Sequence, residues 1–596
     1  MEKQKLRSEI EDKYKWDLSL IYKDEEEFYK NLKEVENHLE DILDFKGNIV
    51  TSADNLLKFI NFELNSQRKL YKLHYYTHLL YDEDTTNTNS QKLSGLVKNL
   101  FVKQSELSSF VNPEMMSIDY ETILKYIKEN KELEKYTFML ENIYRYKNHT
   151  LSEEIEKVLS ITSKVLSSPE DIYSSLTDSD INFGNILVDG KEVELTESNY
   201  SKYLKSTDRN VRKDAFTRVL STYGSFKNTI TNTFTSFIDS LISNAKLKNY
   251  SSTLEASLFS DNINTDVYNN LIKTVTDNLD ISYKYFEMKK DILKLDEMHL
   301  YDIYVDLVPN FSKSYTFLEA KELVLNALLP LGDDYQKKLM ESFDNRWIDI
   351  YNNKGKRTGA YSSGFYDTKP YILLNYEGKI NDVSTLAHEL GHSMHTYYSC
   401  ENNDYHDSSY EIFVAEVAST VNELLLNYYM LDKATSSEEK KYILNTMMEL
   451  FKSTIYRQTM FAEFERDCQS KQENGEILTY ESISSDYKKL VTKYFGTSVC
   501  IDDEIKYEWE RIPHFYYDFY VYKYAVGLSC ACYIVNGILN NKENALDNYL
   551  RFLKAGGSKY PKDILKDAGI DIEKEDYIKD ALSMFSDIID EYKKLI

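Results

Sequence analysis

Five consecutive residues near position 390 have the types and spacing that can hold a catalytic metal ion. The run His388-Glu389-Leu390-Gly391-His392 fits the pattern H-E-x-x-H. On a helix, positions i and i+4 differ by about 40° of rotation, so the two imidazoles project side by side and can bind one divalent ion, each at about 2.0–2.1 Å. Glu389 lies beside that ion, where it can accept a proton from a water molecule that the ion activates.

The residues around this motif predict a helix. Asp382 or Ser384 can cap its free N–H groups, and Leu386 and Ala387 carry its apolar face. Glycine inside a helix costs about 1 kcal/mol relative to alanine. Gly391 therefore predicts a close approach by another backbone or helix.

A second residue on nearly the same face is His395, seven residues after His388. Two interpretations are open for it. It could orient a metal ligand as an outer hydrogen-bond partner, or it could be a hydrogen-bonded histidine of the core.

The third metal ligand is expected on a following helix. Two histidines and one carboxylate, with a fourth position for water, are a catalytic zinc arrangement. Glu416 lies inside an apolar segment, where a carboxylate is costly unless it is paired or binds metal, so it is the preferred ligand. Glu411, at the polar edge of the segment, is the weaker candidate. Glu423, seven residues after Glu416, could accept a hydrogen bond from a ligand imidazole, or be an ordinary solvated helix residue.

A late stretch, residues 511–527, concentrates one histidine and several tyrosines. His514, Tyr517, Tyr520 and Tyr524 fall within it. Imidazole and phenol donors are suited to stabilising the oxyanion of a tetrahedral intermediate. Composition alone favours core packing for most of these tyrosines, so both interpretations stay open at this point.

The elements that must position these residues are mostly helices. Tyr is frequent at 51 residues, Pro is rare at 7, and Gly numbers 18. Few helix breakers and many Lys, Glu, Leu and Ile predict a mainly α-helical chain with only short sheets. The length of 596 residues exceeds a single simple core.

Short strands are predicted at three places. Asp189-Gly190 between apolar-alternating runs predicts a hairpin. It places a boundary near 200, which divides the chain into an N-terminal helical domain (1–200) and a catalytic region (201–596). The segment 299–308 alternates like a strand. Tyr371 to Tyr376 forms a further strand directly ahead of the metal helix. As an edge strand it could pair with an extended peptide, or it could be an ordinary sheet strand.

Charge and cysteine usage exclude several classes of protein. The net charge of −26 disfavours nucleic acid and anionic membranes as partners. Five cysteines form an odd, sparse set, so no disulfide framework is expected. The first residues lack an apolar signal segment, and no stretch approaches about 18 apolar residues. The sequence predicts a soluble, cytoplasmic protein whose oligomeric state is not specified.

Taken together, these residues resemble the M3 family of zinc metallopeptidases and, within it, the oligoendopeptidase F branch. The family's H-E-x-G-H helix with a further histidine three residues on matches His388 to His395, and its second acidic helix matches Glu416 and Glu423. The branch is also suggested by three segments, DRNVRKDAF (208–216), SSGFYDTKPYILLNY (362–376) and RIPHFYYDFYVYKYAVG (511–527).

The resemblance implies a mainly α, two-lobed helical clamshell around a deep substrate channel, with a small β-sheet beside the zinc helix and one Zn²⁺ per chain. It implies substrates that are short unstructured peptides. The family's substrate-binding and oxyanion-stabilising residues match His514, Tyr517 and Tyr524. The segment between the histidine and the first tyrosine is shorter here and lacks the family's paired glycines, so Tyr520 is the substitute for Tyr517.

The sequence therefore predicts a zinc-dependent endopeptidase with His388, His392 and Glu416 as metal ligands and Glu389 as general base. Two alternatives are carried with it. One is a related helical zinc carboxypeptidase that trims single C-terminal residues. The other is a non-enzymatic helical peptide-binding protein with a vestigial site.

Overall fold

The structure, a computed structural model, describes residues 4–309 and 311–596. The chain is mainly α-helical and has two small sheets among these residues, which confirms the predicted fold class. Within the described part of the chain, no helix combines the length and the apolar character needed to cross a bilayer. The predicted clamshell and substrate channel stay predictions.

The chain forms two compact units, and each is assembled from separate parts of the sequence. Unit 1 comprises residues 1–150, 312–429 and 534–569, and unit 2 comprises residues 151–311, 430–533 and 570–596. Each unit therefore combines three segments that are not consecutive in the sequence. The predicted boundary near residue 200, between segments 1–200 and 201–596, stays a prediction.

Unit 1 contains helices of very different lengths and one three-stranded sheet. Its helices are α1 (Glu25–His38), α2 (Ala53–Glu83), α3 (Thr88–Leu107), α4 (Val111–Met115), α5 (Tyr120–Glu129), α6 (Thr137–Arg145), α15 (Phe317–Ala327), α16 (Asp333–Asp344), α17 (Ile380–Asn402), α23 (Ala545–Lys554) and α24 (Pro561–Asp567). Its strands are β3 (Ile348–Asp349), β4 (Tyr361–Ser363) and β5 (Tyr371–Leu373).

Unit 2 is built from helices and one hairpin. Its helices are α7 (Glu153–Leu166), α8 (Ser168–Ser175), α9 (Glu197–Leu204), α10 (Arg209–Ser225), α11 (Lys227–Leu247), α12 (Thr253–Phe259), α13 (Thr265–Thr276), α14 (Leu279–Ile292), α19 (Ser437–Phe451), α20 (Arg457–Glu473), α21 (Tyr480–Phe495) and α25 (Asp576–Lys593). Two further helices have residues in both units, α18 (Ile412–Lys433) and α22 (Tyr522–Leu539).

The hairpin of unit 2 has the turn that its sequence predicts. Strands β1 (Asn185–Val188) and β2 (Lys191–Glu194) pair antiparallel around Asp189 and Gly190. Both turn residues have positive φ, 48° and 75°, the backbone twist that joins two strands through two residues. The local sequence signal alone specified this element.

The strand predicted at 299–308 is wrong. Leu300–Asp302 form a short 3₁₀ helix, and the pairing found among the described residues of this segment is one isolated bridge between His299 and Cys500. Ion pairs, and not strand pairing, hold this segment in place. The buried carboxylate of Asp302 pairs with Arg212 at 2.7 Å and with Arg209 at 2.9 Å, so ion pairs rather than a sheet ladder fix this backbone.

The strand predicted ahead of the metal helix exists, but it is not an edge strand. The strand order in unit 1 is β3-β5-β4, so Tyr371–Leu373 lies in the centre and pairs with a neighbour on each side. All three of its side chains are buried. The interpretation of β5 as a strand open to an extended peptide is therefore wrong, and β3 and β4 are the edge strands.

Helix α17 and helix α18 approach each other at Gly391. A Cβ atom added to Gly391 would lie 2.5 Å from the Cα of Ser419 and 2.7 Å from the backbone oxygen of Ala418. The amide of Asn422 reinforces this contact by donating to the backbone oxygen of Ala387 at 3.2 Å. The close approach predicted from Gly391 is confirmed, and it sets the spacing between the two helices.

We expect Gly391→Ala to lower the free energy of unfolding by about 1–3 kcal/mol, because overpacking forces the two backbones apart. Denaturant unfolding monitored by circular dichroism measures the change. Helix propensity acts in the opposite direction, since alanine is the better helix former.

Gly95→Ala in α3 is the matched control. Nothing lies within 4 Å of a Cβ at Gly95, so propensity alone acts there and we expect a gain of about 0.5–1 kcal/mol. Equal stabilities of the two variants would contradict the role of Gly391.

Candidate metal centre

The helix that carries the H-E-x-x-H residues begins ahead of both predicted caps, so Asp382 and Ser384 lie inside it, although Asp382 still bonds to N–H groups at its start. α17 starts at Ile380, and the carboxylate of Asp382 accepts the backbone N–H groups of Glu377 at 2.8 Å and Lys379 at 2.9 Å. These bonds satisfy donors that a helix start leaves without partners. The cap fixes where α17 begins, and thereby the rotation at which His388 and His392 project.

Three donor side chains converge in unit 1. The Oε2 atom of Glu416 on α18 lies 3.4 Å from Nε2 of His388 and 3.7 Å from Nε2 of His392. One ligand atom from each residue lies within 4.8 Å of the others. Ligands about 2.0–2.1 Å from a tetrahedral ion lie about 3.3–3.4 Å from one another, so this arrangement has the spacing of a zinc site. Glu411 does not belong to this group.

Each of the three donors is held by an outer partner. The carboxylate of Glu423 lies 3.5 Å from Nδ1 of His388, and the imidazole of His392 has the backbone carbonyl of Ala415 as its partner. The hydroxyl of Ser419 donates to Oε2 of Glu416 at 3.1 Å. Outer partners of this kind fix the ring orientation and leave Nε2 free to face a metal.

Glu389 lies beside these three donors, but its carboxylate has its hydrogen-bond partner in another segment, at Ser362. It is 7% exposed, and its carboxylate accepts the backbone N–H of Ser362 on the edge strand β4. Burial raises the pKa of Glu389 to about 7, and the nearby Glu416 acts in the same direction. A divalent cation beside it would lower the pKa, since opposite charge favours the ionised form.

The two histidines respond differently to their surroundings. Burial lowers the pKa of His388, but the carboxylates of Glu423, Glu389 and Glu416 outweigh burial and raise it overall. Burial and the adjacent His388 lower the pKa of His392. Metal binding requires neutral imidazoles, so an ion entering this site would compete with protons for His388.

His395, for which two interpretations were open, packs as a core residue. Its ring stacks on Tyr410 with centroids 3.7 Å apart and an interplanar angle of 8°, and Phe552 lies 5.1 Å away. The side chain is 1% exposed, and burial lowers its pKa to about 3. These contacts favour a neutral aromatic packing role over a hydrogen bond to a ligand.

The histidine and tyrosines of the late stretch lie in unit 2. Pro513–Tyr516 form a 3₁₀ turn in which Phe515 and Tyr516 are buried. Phe515 packs against Phe464 with ring centroids 4.9 Å apart, and the hydroxyl of Tyr516 lies 2.8 Å from that of Thr233. The buried neighbours of His514 therefore hold this turn in place.

His514 contacts two of the predicted tyrosines. The hydroxyl of Tyr524 lies 3.4 Å from Nε2 of His514, and the ring of Tyr517 is 5.4 Å from the imidazole. Tyr520 instead packs edge-on against Tyr524 at 5.3 Å. Burial lowers the pKa of His514, so the ring is neutral near pH 7. Tyr517 is 48% exposed. The roles of all four residues stay predictions.

The loop between these tyrosines has an unusual backbone. Asp518 and Phe519 are consecutive non-glycine residues with φ of 45° and 57°, a region that costs free energy for residues with a Cβ. The carboxyl group of Glu465, buried on α20, accepts the N–H of Phe519 at 2.7 Å. This bond holds the strained turn that separates Tyr517 from Tyr520.

Sequence reasoning missed two residues that contact predicted site residues, Ser419 and Ser362, and a third, Glu465, that holds the loop between Tyr517 and Tyr520. Ser419 is three residues after Glu416 on one helix, so helical spacing could have indicated it. Ser362 and Glu465 act from other segments, and no local pattern marks either one. Their contacts depend on tertiary structure alone.

A mainly helical chain whose H-E-x-x-H helix converges with a glutamate of the next helix has the features of a helical metallopeptidase. Comparison with known proteins agrees. The profile of peptidase family M3 matches residues 202–584, and the profile of oligopeptidase F matches residues 114–183. The chain belongs to peptidase family M3, and it is therefore a peptidase.

Similar proteins cover almost the whole chain. Oligopeptidase PepF of Bacillus subtilis is 41% identical over 99% of this chain and 88% of its own, and an oligoendopeptidase F homolog of Borreliella burgdorferi is 38% identical over 99% of both. The crystal structure of a peptidase from Chlamydophila abortus has a TM-score of 0.95 at 38% identity over 100% of both chains. Oligoendopeptidase-F from Enterococcus faecium has a TM-score of 0.74 at 35% identity over 96% of this chain and 99% of its own.

We expect Glu423→Gln to weaken metal affinity by about 10–100-fold, because the amide is a poorer partner for Nδ1 of His388 than the carboxylate. Competition with a metal-binding indicator dye measures the affinity. The melting temperature of the metal-free protein should change little.

Asp432→Asn near the end of the same helix is the control. Asp432 is 72% exposed and pairs with Lys433, so its substitution should leave metal affinity unchanged. If Glu423→Gln behaves like Asp432→Asn, the carboxylate does not orient the imidazole.

Proposed function

We propose that the protein is a zinc-dependent endopeptidase that hydrolyses internal bonds of short unstructured oligopeptides. The observation that supports this most is the convergence of His388, His392 and Glu416 beside the buried carboxylate of Glu389. Oligopeptides as substrates are supported by the oligopeptidase and oligoendopeptidase names of its relatives. The cytoplasmic location and the lack of nucleic-acid and membrane partners stay predictions from sequence.

The metal would be held by His388, His392 and Glu416. Two imidazole nitrogens and one carboxylate oxygen are a donor set that suits Zn²⁺ and leave one coordination position open. Zinc bound there would supply Lewis-acid polarisation of a water molecule and of the scissile carbonyl. Glu423, Ser419 and the carbonyl of Ala415 would keep the three donors aimed at one point.

Glu389 acts in this proposal as the proton carrier. Its carboxylate accepts a proton from the attacking water and later delivers that proton to the leaving amine. A pKa raised toward 7 by burial suits a group that must both accept and donate near neutral pH. The hydrogen bond from Ser362 holds the carboxylate in one orientation.

Tyr524, together with Tyr517 or His514, donates hydrogen bonds to the oxyanion of the tetrahedral intermediate. The hydroxyl of Tyr524 is oriented by the neighbouring imidazole of His514. Tyr520 is the alternative second donor. These assignments rest on the family resemblance and on the grouping of the three side chains in unit 2.

Two alternatives differ in testable ways. A helical zinc carboxypeptidase would use the same ligands but would need a free C-terminus on its substrate. A non-enzymatic peptide-binding protein is disfavoured because the chain belongs to a peptidase family.

A peptide blocked at both ends separates an endopeptidase from a carboxypeptidase. We expect internal cleavage by the zinc-loaded enzyme, detected by mass spectrometry, because the proposed site needs only a peptide bond within reach of the metal. Removal of zinc by a chelator should abolish cleavage, and added Zn²⁺ should restore it.

Glu389→Gln is the matched control for this assay. It should bind as much zinc as the unmodified protein and cleave nothing, because the amide cannot accept the proton from water. Release of single C-terminal residues from unblocked peptides only, or normal cleavage by Glu389→Gln, would contradict the proposal.

We expect Tyr524→Phe and Tyr517→Phe each to lower kcat by about 10²–10³ with little change in KM, because an oxyanion donor acts in the transition state. Steady-state kinetics on a fluorogenic peptide measures both constants. Tyr520→Phe distinguishes the two candidate second donors. A lowered kcat in Tyr520→Phe together with a normal kcat in Tyr517→Phe would assign the role of second oxyanion donor to Tyr520.

A further inference from the structure

A second group of potential metal ligands lies entirely in unit 2. The donor atoms of Glu297, His299 and Cys500 all lie within 4.8 Å of one another. Glu297 and His299 follow helix α14, whereas Cys500 follows α21, about 200 residues later in the chain. None of these residues contributes to the predicted peptidase metal centre, whose donors belong to unit 1.

Backbone hydrogen bonding fixes the separation of the two segments. The N–H of Cys500 donates to the carbonyl of Met298 at 2.7 Å, and His299 and Cys500 form an isolated parallel bridge. On the other side, the N–H of His299 donates to the carboxylate of Asp302, which is itself buried among arginines. The imidazole and the thiol are thus carried by backbones that cannot move apart without breaking these bonds.

The imidazole of His299 is oriented as a metal ligand would be. Its Nδ1 lies 2.8 Å from Oδ1 of Asp502, while Oδ2 of Asp502 accepts the N–H of Leu300 at 3.2 Å. The ring also stacks on Tyr301 with centroids 5.0 Å apart. With Nδ1 engaged, Nε2 faces the carboxylate of Glu297 at 3.9 Å. A carboxylate on one ring nitrogen fixes the tautomer that offers the other nitrogen to a metal.

The thiol of Cys500 is reduced and partly exposed. Burial and the carboxylates of Glu297 and Asp502 raise its pKa, while Lys290 and Arg209 act in the opposite direction. The thiol is therefore protonated near pH 7 until a cation binds. Metal binding would break the S–H bond, release the proton to solvent and form a bond between the thiolate and the metal, with no change of oxidation state.

We propose that Glu297, His299 and Cys500 form a second divalent-metal site, for zinc or another cation that favours thiolate, in addition to the predicted peptidase metal. Thiolate, imidazole and carboxylate together select borderline-soft ions over Mg²⁺ or Ca²⁺. Three protein ligands leave a position for solvent. Because the ligands come from two distant segments, a bound ion cross-links the regions that follow α14 and α21.

Cobalt(II) tests this site by a signal that the peptidase centre cannot produce. A thiolate bonded to Co²⁺ gives a charge-transfer absorption band in the near ultraviolet, and the predicted peptidase ligands include no cysteine. We expect this band when Co²⁺ is titrated into full-length protein loaded with one equivalent of zinc, which the predicted peptidase centre takes up and which leaves the second site open. Saturating Co²⁺ should also raise the melting temperature, since the ion binds only the folded state.

Cys500→Ser should remove the band, and Cys400→Ser is the matched control that should keep it, since Cys400 is also a partly exposed free thiol.

Asp502→Asn should weaken Co²⁺ binding by about 10–100-fold by releasing Nδ1 of His299. His299→Gln provides a second ligand variant if Cys500→Ser does not fold. Peptidase activity of the zinc-loaded Cys500→Ser variant should be normal.

Failure of this proposal is distinguishable from failure of the peptidase proposal. His388→Ala should lose the first metal but keep the thiolate band, because its ligands are not involved. Absence of the band in the unmodified protein, its persistence in Cys500→Ser and His299→Gln, or its loss in Cys400→Ser would overturn the second site.

Discussion

The close approach of α17 and α18 is the constraint on which the predicted metal centre depends. The contact point is Gly391 against Ser419, and only a residue without a Cβ permits it. Glu416 precedes Ser419 by about one helical turn, and Glu423 follows it by about one turn, so the acids flank the contact on one face of α18. A wider spacing would carry both carboxylates away from the imidazoles.

This geometry concentrates charge in a way that favours a cation. Three carboxylates, those of Glu389, Glu416 and Glu423, lie near two imidazoles, and of the three only Glu389 is buried. Without a cation, burial raises the pKa of Glu389 to about 7, and the neighbouring carboxylates raise the pKa of His388. A divalent ion would relieve the repulsion among the carboxylates and compete with protons for His388. Metal binding and proton release are therefore coupled in this cluster.

The sequence predicted what depends on local spacing. The helix of the metal motif, the close approach at Gly391 and the turn at Asp189-Gly190 each follow from a few neighbouring residues, although the helix begins ahead of the predicted caps. The strand expected at 299–308 failed because distant arginines, not a sheet, fix Asp302.

The edge position expected for β5 failed for a similar reason. The strand that covers its second side, β3, has only two residues and carries almost no periodic signal. The contact from Glu465 to the tyrosine loop likewise spans more than fifty residues of sequence, which no local pattern can indicate.

The two ligand clusters share one arrangement but differ in how firmly it is held, so their metal affinities should differ. Both use a histidine whose Nδ1 faces a carboxylate, Glu423 in one and Asp502 in the other, and whose Nε2 faces a second carboxylate. In the first cluster the second carboxylate, that of Glu416, is 44% exposed and has the hydroxyl of Ser419 3.1 Å away, so the metal has less ordering to impose on it.

In the second cluster the side chain of Glu297 is 73% exposed, and it must lose rotamer freedom when it binds an ion. The thiolate of Cys500 would compensate through a stronger bond to soft cations, but only after losing its proton. The second site should therefore bind metal more weakly, exchange it faster and depend more steeply on pH than the first.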